Sequence, residues 1–220
     1  LNMSRVMSYS DENYYIGGSD ATTLMSGRWS ELYLKKKNLS FEKYDDNPQT
    51  VSKSPQIIAS RIGMCTETVN LDFLERDIEQ EIFRNITVDP DDRTPWLVSS
   101  LDGMTDETHT PCEAKHTSES NTFERIASKC YPQLQHYLMH TQKDYMYLSV
   151  LFGNKKYLYA AIEADNKYQK ALLDVEEWFY HHLIKNKIPT NINAYITRMG
   201  IKDKIRKLNI IDPFSCKEVC

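Results

Sequence analysis

The sequence predicts an α/β fold in which a small central mixed sheet is flanked by helices. Three observations predict it. Segments 96–116 and 145–162 read as apolar hairpins broken by tight turns. Stretches at 55–84, 122–141 and 166–187 place apolar residues at helical spacing. The two kinds interleave as helices, hairpin, helix, hairpin, helix, the order of a sheet covered by helices.

Taken in order, Tyr14-Tyr15-Ile16-Gly17-Gly18-Ser19-Asp20 reads as a turn running into a helix. Ser19 or Asp20 is the expected N-cap, because either side chain can accept a free N–H of the first turn. A second helix is expected over Ser30 to Lys37, and the polar run Asn38 to Ser54, with Asp45-Asp46-Asn47-Pro48, as a loop. From Pro55 to Arg84 the residues Ile57, Ile58, Ile62, Met64, Val69, Leu71, Phe73, Leu74, Ile78 and Ile82 suggest one long helix or two in tandem. Asp89 to Pro95 is a turn, Trp96 to Leu101 a strand, Asp102-Gly103 a tight turn and Pro111 to His116 a second strand. A helix follows over Thr122 to Thr141. Strands Tyr145 to Phe152 and Lys156 to Ile162 join at Gly153-Asn154, and Asn166 to Lys187 closes the pattern as an amphipathic helix. Residues 1–187 are read as one domain and 188–220 as a C-terminal extension without a clear pattern.

With 220 residues, 40% of them hydrophobic, the chain can bury a sizeable single core. No run of eighteen apolar residues exists and the first ten residues lack a signal-peptide core, so no membrane role and a cytoplasmic location are expected. The cysteines, Cys65, Cys112, Cys130, Cys216 and Cys220, are odd in number and form no C-x-x-C pair. That argues against a disulfide framework and a structural zinc site. The net charge of −4 divides unevenly. Residues 1–115 hold 12 basic against 20 acidic residues, and residues 116–220 hold 15 against 11. A protein that binds cations with carboxylates and phosphates with lysines would divide its charge in this way.

The chemistry concentrates in Ser99-Ser100-Leu101-Asp102-Gly103 and, nine residues on, Glu113-Ala114-Lys115. Side chains alternate along a strand, so Glu113 and Lys115 point one way and Ala114 turns into the core. If the two strands pair, Asp102 lies opposite them and three charged groups converge. Two carboxylates suit a hard divalent cation, and a lysine ammonium suits a hydroxide nucleophile or the charge growing on a phosphate. The alternative is a hairpin with ordinary surface charges.

Asp-x10-Glu-x-Lys is the pattern of the PD-(D/E)xK nucleases, with Leu101 in the proline position. Four more segments resemble the YqaJ-like viral recombinase family, to which phage lambda exonuclease belongs. They are Ile16 to Ala21 with Gly27 to Lys37, Arg61-x-Gly63-x-x-x-Glu67, Tyr131-x-Gln133-x-Gln135-x-Tyr137, and residues 145–187 ending in Glu176-Glu177-Trp178-Phe179. The likeness runs over about residues 14–185 and implies a restriction-endonuclease-like core. It further implies that Asp102, Glu113 and the backbone carbonyl of Ala114 ligate two Mg2+ ions, with Mn2+ as a substitute, and that Glu67 completes the shell. Lys115 would orient or activate water and Gln133 would hydrogen-bond near it. Ser19 and Ser100 match positions that contact a terminal phosphate, and Asp92 coincides with an acidic position within a turn-like run. The arginine that lambda exonuclease carries ahead of the glycine–serine turn is missing, since Glu12 to Tyr15 fill that stretch, so either Arg5 or Arg28 substitutes or end recognition differs.

The implied activity is a DNA exonuclease degrading one strand of a linear duplex, 5′-to-3′, in phage-type recombination. Its implied partners are duplex DNA ends, a single-strand annealing protein and two further copies in a trimeric ring. Two rivals remain open: an endonuclease of restriction or repair type using the same metals, and a catalytically silent DNA-binding member of the fold. Some proteins of this fold carry a four-cysteine iron–sulfur cluster, but the cysteine spacing here departs from that pattern. His136 and His140 stand at i, i+4 without the adjacent glutamate of a zincin. Tyr145, Tyr147, Phe152, Tyr157 and Tyr159 read as hairpin packing, and Lys202, Lys204, Arg206 and Lys207 as a solvated helix face. No phosphate-binding P-loop and no G-x-S-x-G elbow occur.

Overall fold

The computed structural model describes residues 14–37, 55–189 and 204–214. Two short helices, α1 (Gly18–Met25) and α2 (Trp29–Lys36), precede the long α3 (Pro55–Ile78). Strands β1 (Ile82–Val88), β2 (Ser99–Thr105) and β3 (Pro111–Thr117) follow, then α4 (Phe123–Thr141), β4 (Tyr145–Phe152), β5 (Lys156–Glu163) and α5 (Asn166–Ile184). The five strands form one sheet in sequence order. β3 and β4 are parallel and the other neighbours antiparallel, so the sheet is mixed as expected. α4 supplies the crossover that a parallel pair requires.

Alternation along the strands divides the interior into two cores. On β4, Met146, Leu148, Val150 and Phe152 join Leu134, Leu138, Leu172 and Phe179 of α4 and α5, while Tyr147 and Leu151 turn to the other side. There Leu71 and Leu74 of α3 pack with Cys112, Tyr157 and Tyr159. Helices therefore cover both faces: α1, α4 and α5 on one, α3 on the other. Tyr157 and Tyr159 are core residues, as the packing reading expects. Residues 204–214 dock on the outer edge of β5 through paired Tyr159 and Ile211 backbone bonds, with Ile205 buried. Lys204, expected on a solvated face, pairs with Asp165; Arg5, Lys202, Cys216 and Cys220 lie outside the described residues. Among the described residues no helix is long and apolar enough to cross a membrane.

Three local expectations are corrected. First, the helical run does not reach Ile82: Glu79 takes a left-handed φ of 54° just past α3, and Ile82–Val88 forms β1 with every second residue turned inward. Its Ile, Thr and Val content and period of two favour a strand over a helix. Second, Asp102-Gly103 is mid-strand in β2, and the reversal falls at residues 106–110, held by Thr105 and Thr110 bonds of 2.9 and 3.0 Å. Gly103 serves close strand approach instead of a turn, since a Cβ there would lie 2.5 Å from Ile82 Cγ2 and 3.2 Å from the Phe83 carbonyl. Third, the cap of α1 is Gly17; its N–H donates to the Asp20 carboxylate at 3.1 Å, so Asp20 caps from inside the first turn.

Candidate active site

The site forms where β2 and β3 separate. Their ladder holds the pairs Gly103–Cys112 and Met104–Pro111, and one step further the same register sets Asp102 against Glu113. Asp102 is also skipped in the β1–β2 ladder, where its opposite number Asn85 has a φ of 54°. Released from both neighbours, Asp102 uses its side chain for bonding instead: Oδ2 accepts the Ala114 N–H at 2.8 Å. That bond ties β2 to β3 at the point where their backbones part.

Glu113 and Lys115 lie on the α4 face of β3 and Ala114 packs toward α3, the alternation expected from sequence. Lys115 Nζ forms an ion pair with Glu113 Oε1. Gln133 Nε2, on α4, donates to the same oxygen at 2.8 Å and to Tyr137 Oη at 2.9 Å. Glu113 is only 1% exposed, and its second oxygen, Oε2, is buried without a hydrogen-bond partner. An ionised oxygen left bare in a protein interior is costly, and a cation relieves that cost. The donor set of hard carboxylate oxygens therefore fits a divalent metal.

The electrostatics agree with this reading. Burial pushes the Glu113 carboxyl up to about 7 against the pull of Lys115, and the negative charge of Asp102 adds to the rise. Burial also raises Asp102, against Lys115 and the Ala114 N–H. For Lys115, burial disfavours the ammonium, but Glu113 and the neighbouring negative groups outweigh it and hold the side chain charged. The charges of Asp102 and Glu67 thus both press on the Glu113 carboxyl, with a single lysine to offset them.

Glu67 lies on α3 and is coupled to the site through charge: burial and Asp102 raise its carboxyl and Lys115 lowers it, and its own charge adds to the rise of Glu113. Among the described residues no three His, Cys, Asp or Glu side chains are grouped to hold a metal ion. The structure therefore brings Asp102, Glu113, Lys115 and Gln133 together, with Glu67 of α3 coupled to them through charge.

The remaining expected residues divide further. Gly18 packs so tightly on α4 that a Cβ would lie 2.6 Å from the Tyr137 ring and 2.8 Å from Gln133 Cγ, which sets the start of α1 beside Gln133. Ser19 is the next residue and is exposed, as is Ser100, two residues before Asp102 on β2. Arg28 is exposed and its partners are local, Ser26 at 3.1 Å and Glu31 at 3.5 Å. Asp92 is exposed, and it is Asp91 that caps the turn by accepting the N–H groups of Arg93 and Thr94. Cys112 and Cys130 are buried free thiols, and Cys65 is exposed.

Two features lay beyond sequence reasoning. Asn70 of α3 is 1% exposed and donates to the carbonyls of Lys115 at 3.0 Å and Ser149 at 3.2 Å, fastening α3 to β3 and β4 behind the site. A polar residue one turn beyond Glu67 was its one available signal. His136 and His140 are structural: His140 bonds Ser99 at 2.9 Å and the Asp89 carbonyl at 3.2 Å, and His136 bonds Glu176 and the Val98 carbonyl.

No family model matches the sequence, and no curated protein matches it. Among solved structures the chain is similar to an alkaline exonuclease, LHK-Exo, from Laribacter hongkongensis, with a TM-score of 0.60 and 14% identity. The match covers 81% of this chain and 92% of that one. LHK-Exo in complex with dAMP matches at a TM-score of 0.58 with the same identity and coverage. At this identity the likeness shows a shared fold.

Proposed function

We propose that this chain is a metal-dependent deoxyribonuclease that hydrolyses phosphodiester bonds of duplex DNA, working as an exonuclease on one strand of a linear end. The observation that carries this reading is the buried, bare Oε2 of Glu113, set beside Asp102 and Lys115 on two strands that part to receive a ligand. The fold shared with an alkaline exonuclease supports the choice of substrate class.

Asp102 and Glu113 would hold Mg2+ or Mn2+, with the carbonyl of Ala114, while Glu67 adds a further carboxylate to the cation's field. When bound, the metal supplies Lewis acidity to the phosphate and lowers the pKa of the attacking water. Lys115, held as an ammonium, is a donor: it steadies the charge that builds on the phosphate oxygens, and its role is electrostatic. Gln133, braced by Tyr137, can pass its amide from Glu113 to the water or the scissile phosphate and fix the line of attack. Ser19 and Ser100, exposed on α1 and β2, would contact backbone phosphates. Within this proposal, degradation runs 5′-to-3′, copies of the chain assemble into a trimeric ring, and an annealing protein receives the single strand.

The test is magnesium-dependent digestion of linear duplex DNA beside a covalently closed circle, with Lys115→Ala as control. Loss of the linear DNA alone, abolished in the variant with DNA binding kept, is the expected result. Removing the lysine should cost at least about 100-fold in turnover, the usual scale for a lost transition-state donor. Cutting of the circle would turn the assignment to an endonuclease, and intact DNA in both arms would overturn nuclease activity altogether.

A further inference from the structure

His136 and Glu176 are each fully buried, on α4 and α5, in the midst of the larger apolar core. His136 Nδ1 lies 2.8 Å from Glu176 Oε1, and Nε2 lies 2.9 Å from the Val98 carbonyl. A carbonyl can only accept, so Nε2 carries a hydrogen, and one further proton is shared between Nδ1 and the carboxyl. Glu176 Oε2 has no partner. A well-packed apolar pair would stabilise such a core as well or better. A polar pair here needs a reason other than stability.

Its position supplies one. Val98 immediately precedes β2, the strand of Ser100 and Asp102, and its own N–H donates to the Ile16 carbonyl at 3.1 Å just ahead of α1. His136 is three residues beyond Gln133 and next to Tyr137, which receives Gln133's second bond. Pro132 lies inside α4 immediately before Gln133, and a proline gives the helix no N–H at that turn. The turn that presents Gln133 therefore lacks one of its backbone bonds, and it is followed at once by a side chain anchored at the residue that leads into the strand of Asp102. Glu176 fixes the ring so that Nε2 points at that strand.

We infer that His136, oriented by Glu176, is a positioning residue that locks the Gln133 turn of α4 to the entry of β2 and so sets the distance between Gln133 and the Asp102–Glu113 centre. The inference rests on the nuclease reading above. It acts through Gln133, and His136 itself touches neither substrate nor metal.

The two ring nitrogens can be separated by substitution. Glutamine places an amide nitrogen near Nε2 and keeps the bond to Val98; asparagine places one near Nδ1 and keeps only the bond to Glu176. kcat and KM for linear duplex DNA are measured at saturating magnesium for His136→Gln, His136→Asn and Glu176→Leu, at a temperature below all their melting midpoints. The expected result is a fall of about 10-fold or more in kcat for His136→Asn, the scale of a small misplacement of a catalytic group, with KM within about twofold. His136→Gln should stay within about threefold of the wild type in kcat and KM. Wild-type turnover in folded His136→Asn, or equal losses in both histidine variants, would overturn the inference. Should neither histidine variant fold, Glu176→Leu, which leaves Nδ1 without its partner, decides, with wild-type kcat counting against the pair. A wild-type protein inactive on DNA would overturn the nuclease reading instead, which keeps the two failures apart.

Discussion

Replacing Glu113 with glutamine should change how the metal-free protein responds to pH. In the folded chain the carboxyl is raised from 4.5 to about 7. A group raised on folding gives stability that is fully present below its unfolded pKa and lost as pH rises through its folded pKa. The window is therefore pH 4.5 to about 7, and the folded protein becomes less stable across it. A rise of that size corresponds to about 3 kcal/mol, at about 1.4 kcal/mol per pH unit. For a chain of this length that is about 6–12 °C in melting temperature. Asp102 and Glu67 are raised as well, so they push the wild type in the same direction. Glu113→Gln removes the largest of these contributions, and any cost of the buried amide is the same at every pH. Thermal unfolding in chelator at pH 5.0 and 8.5 should show a wild-type drop that the variant lacks by about 6–12 °C. Magnesium at pH 8.5 should restore stability to the wild type and stabilise the variant only at higher magnesium. A variant that loses as much stability with pH as the wild type would show that Glu113 is not a strained carboxylate.

Three further outcomes follow from packing. Gly18→Ala should cost about 1–3 kcal/mol and lower turnover, because its Cβ meets Tyr137 and Gln133 at under 3 Å; Gly63→Ala, with open space at its Cβ, is the control, and equal behaviour of the two by thermal melting and turnover would contradict the packing. Asn70→Ala should cost about 1–3 kcal/mol for the backbone acceptors it abandons in the interior, read by chemical denaturation, and an unchanged midpoint would contradict its bracing role. Maleimide labelling mapped by mass spectrometry should modify Cys65 in the native protein and spare Cys112 and Cys130, whose thiols burial holds near pKa 12; native labelling of Cys130 would contradict its burial beside Lys115.

The elements with strong periodicity were legible in the sequence: α4, β4, β5 and α5 fall within a few residues of their expected bounds, since their apolar spacing matches how they are buried. β1 was not, because Ile82 continues the helical spacing of α3 and nothing in one sequence reveals that Glu79 would turn left-handed. Asp102-Gly103 shows the same limit. As a dipeptide it signals a turn, and only the presence of β1 beside β2, which crowds Gly103 against Ile82, makes it mid-strand. Within the site, strand alternation gave Glu113 and Lys115, and the resemblance gave Gln133. Asn70 and the His136–Glu176 pair satisfy backbone groups far away in sequence, and such bonds leave no periodic mark.

Magnesium-titrated turnover of wild-type protein and Glu113→Gln on one linear duplex tests most directly whether Asp102, Glu113 and Lys115 form a metal-dependent nuclease centre. Saturable magnesium dependence in the wild type, with a much lower maximal rate and a shift to higher magnesium in the variant, is the predicted result. Equal rates and superimposable magnesium curves would place the chemistry away from Glu113.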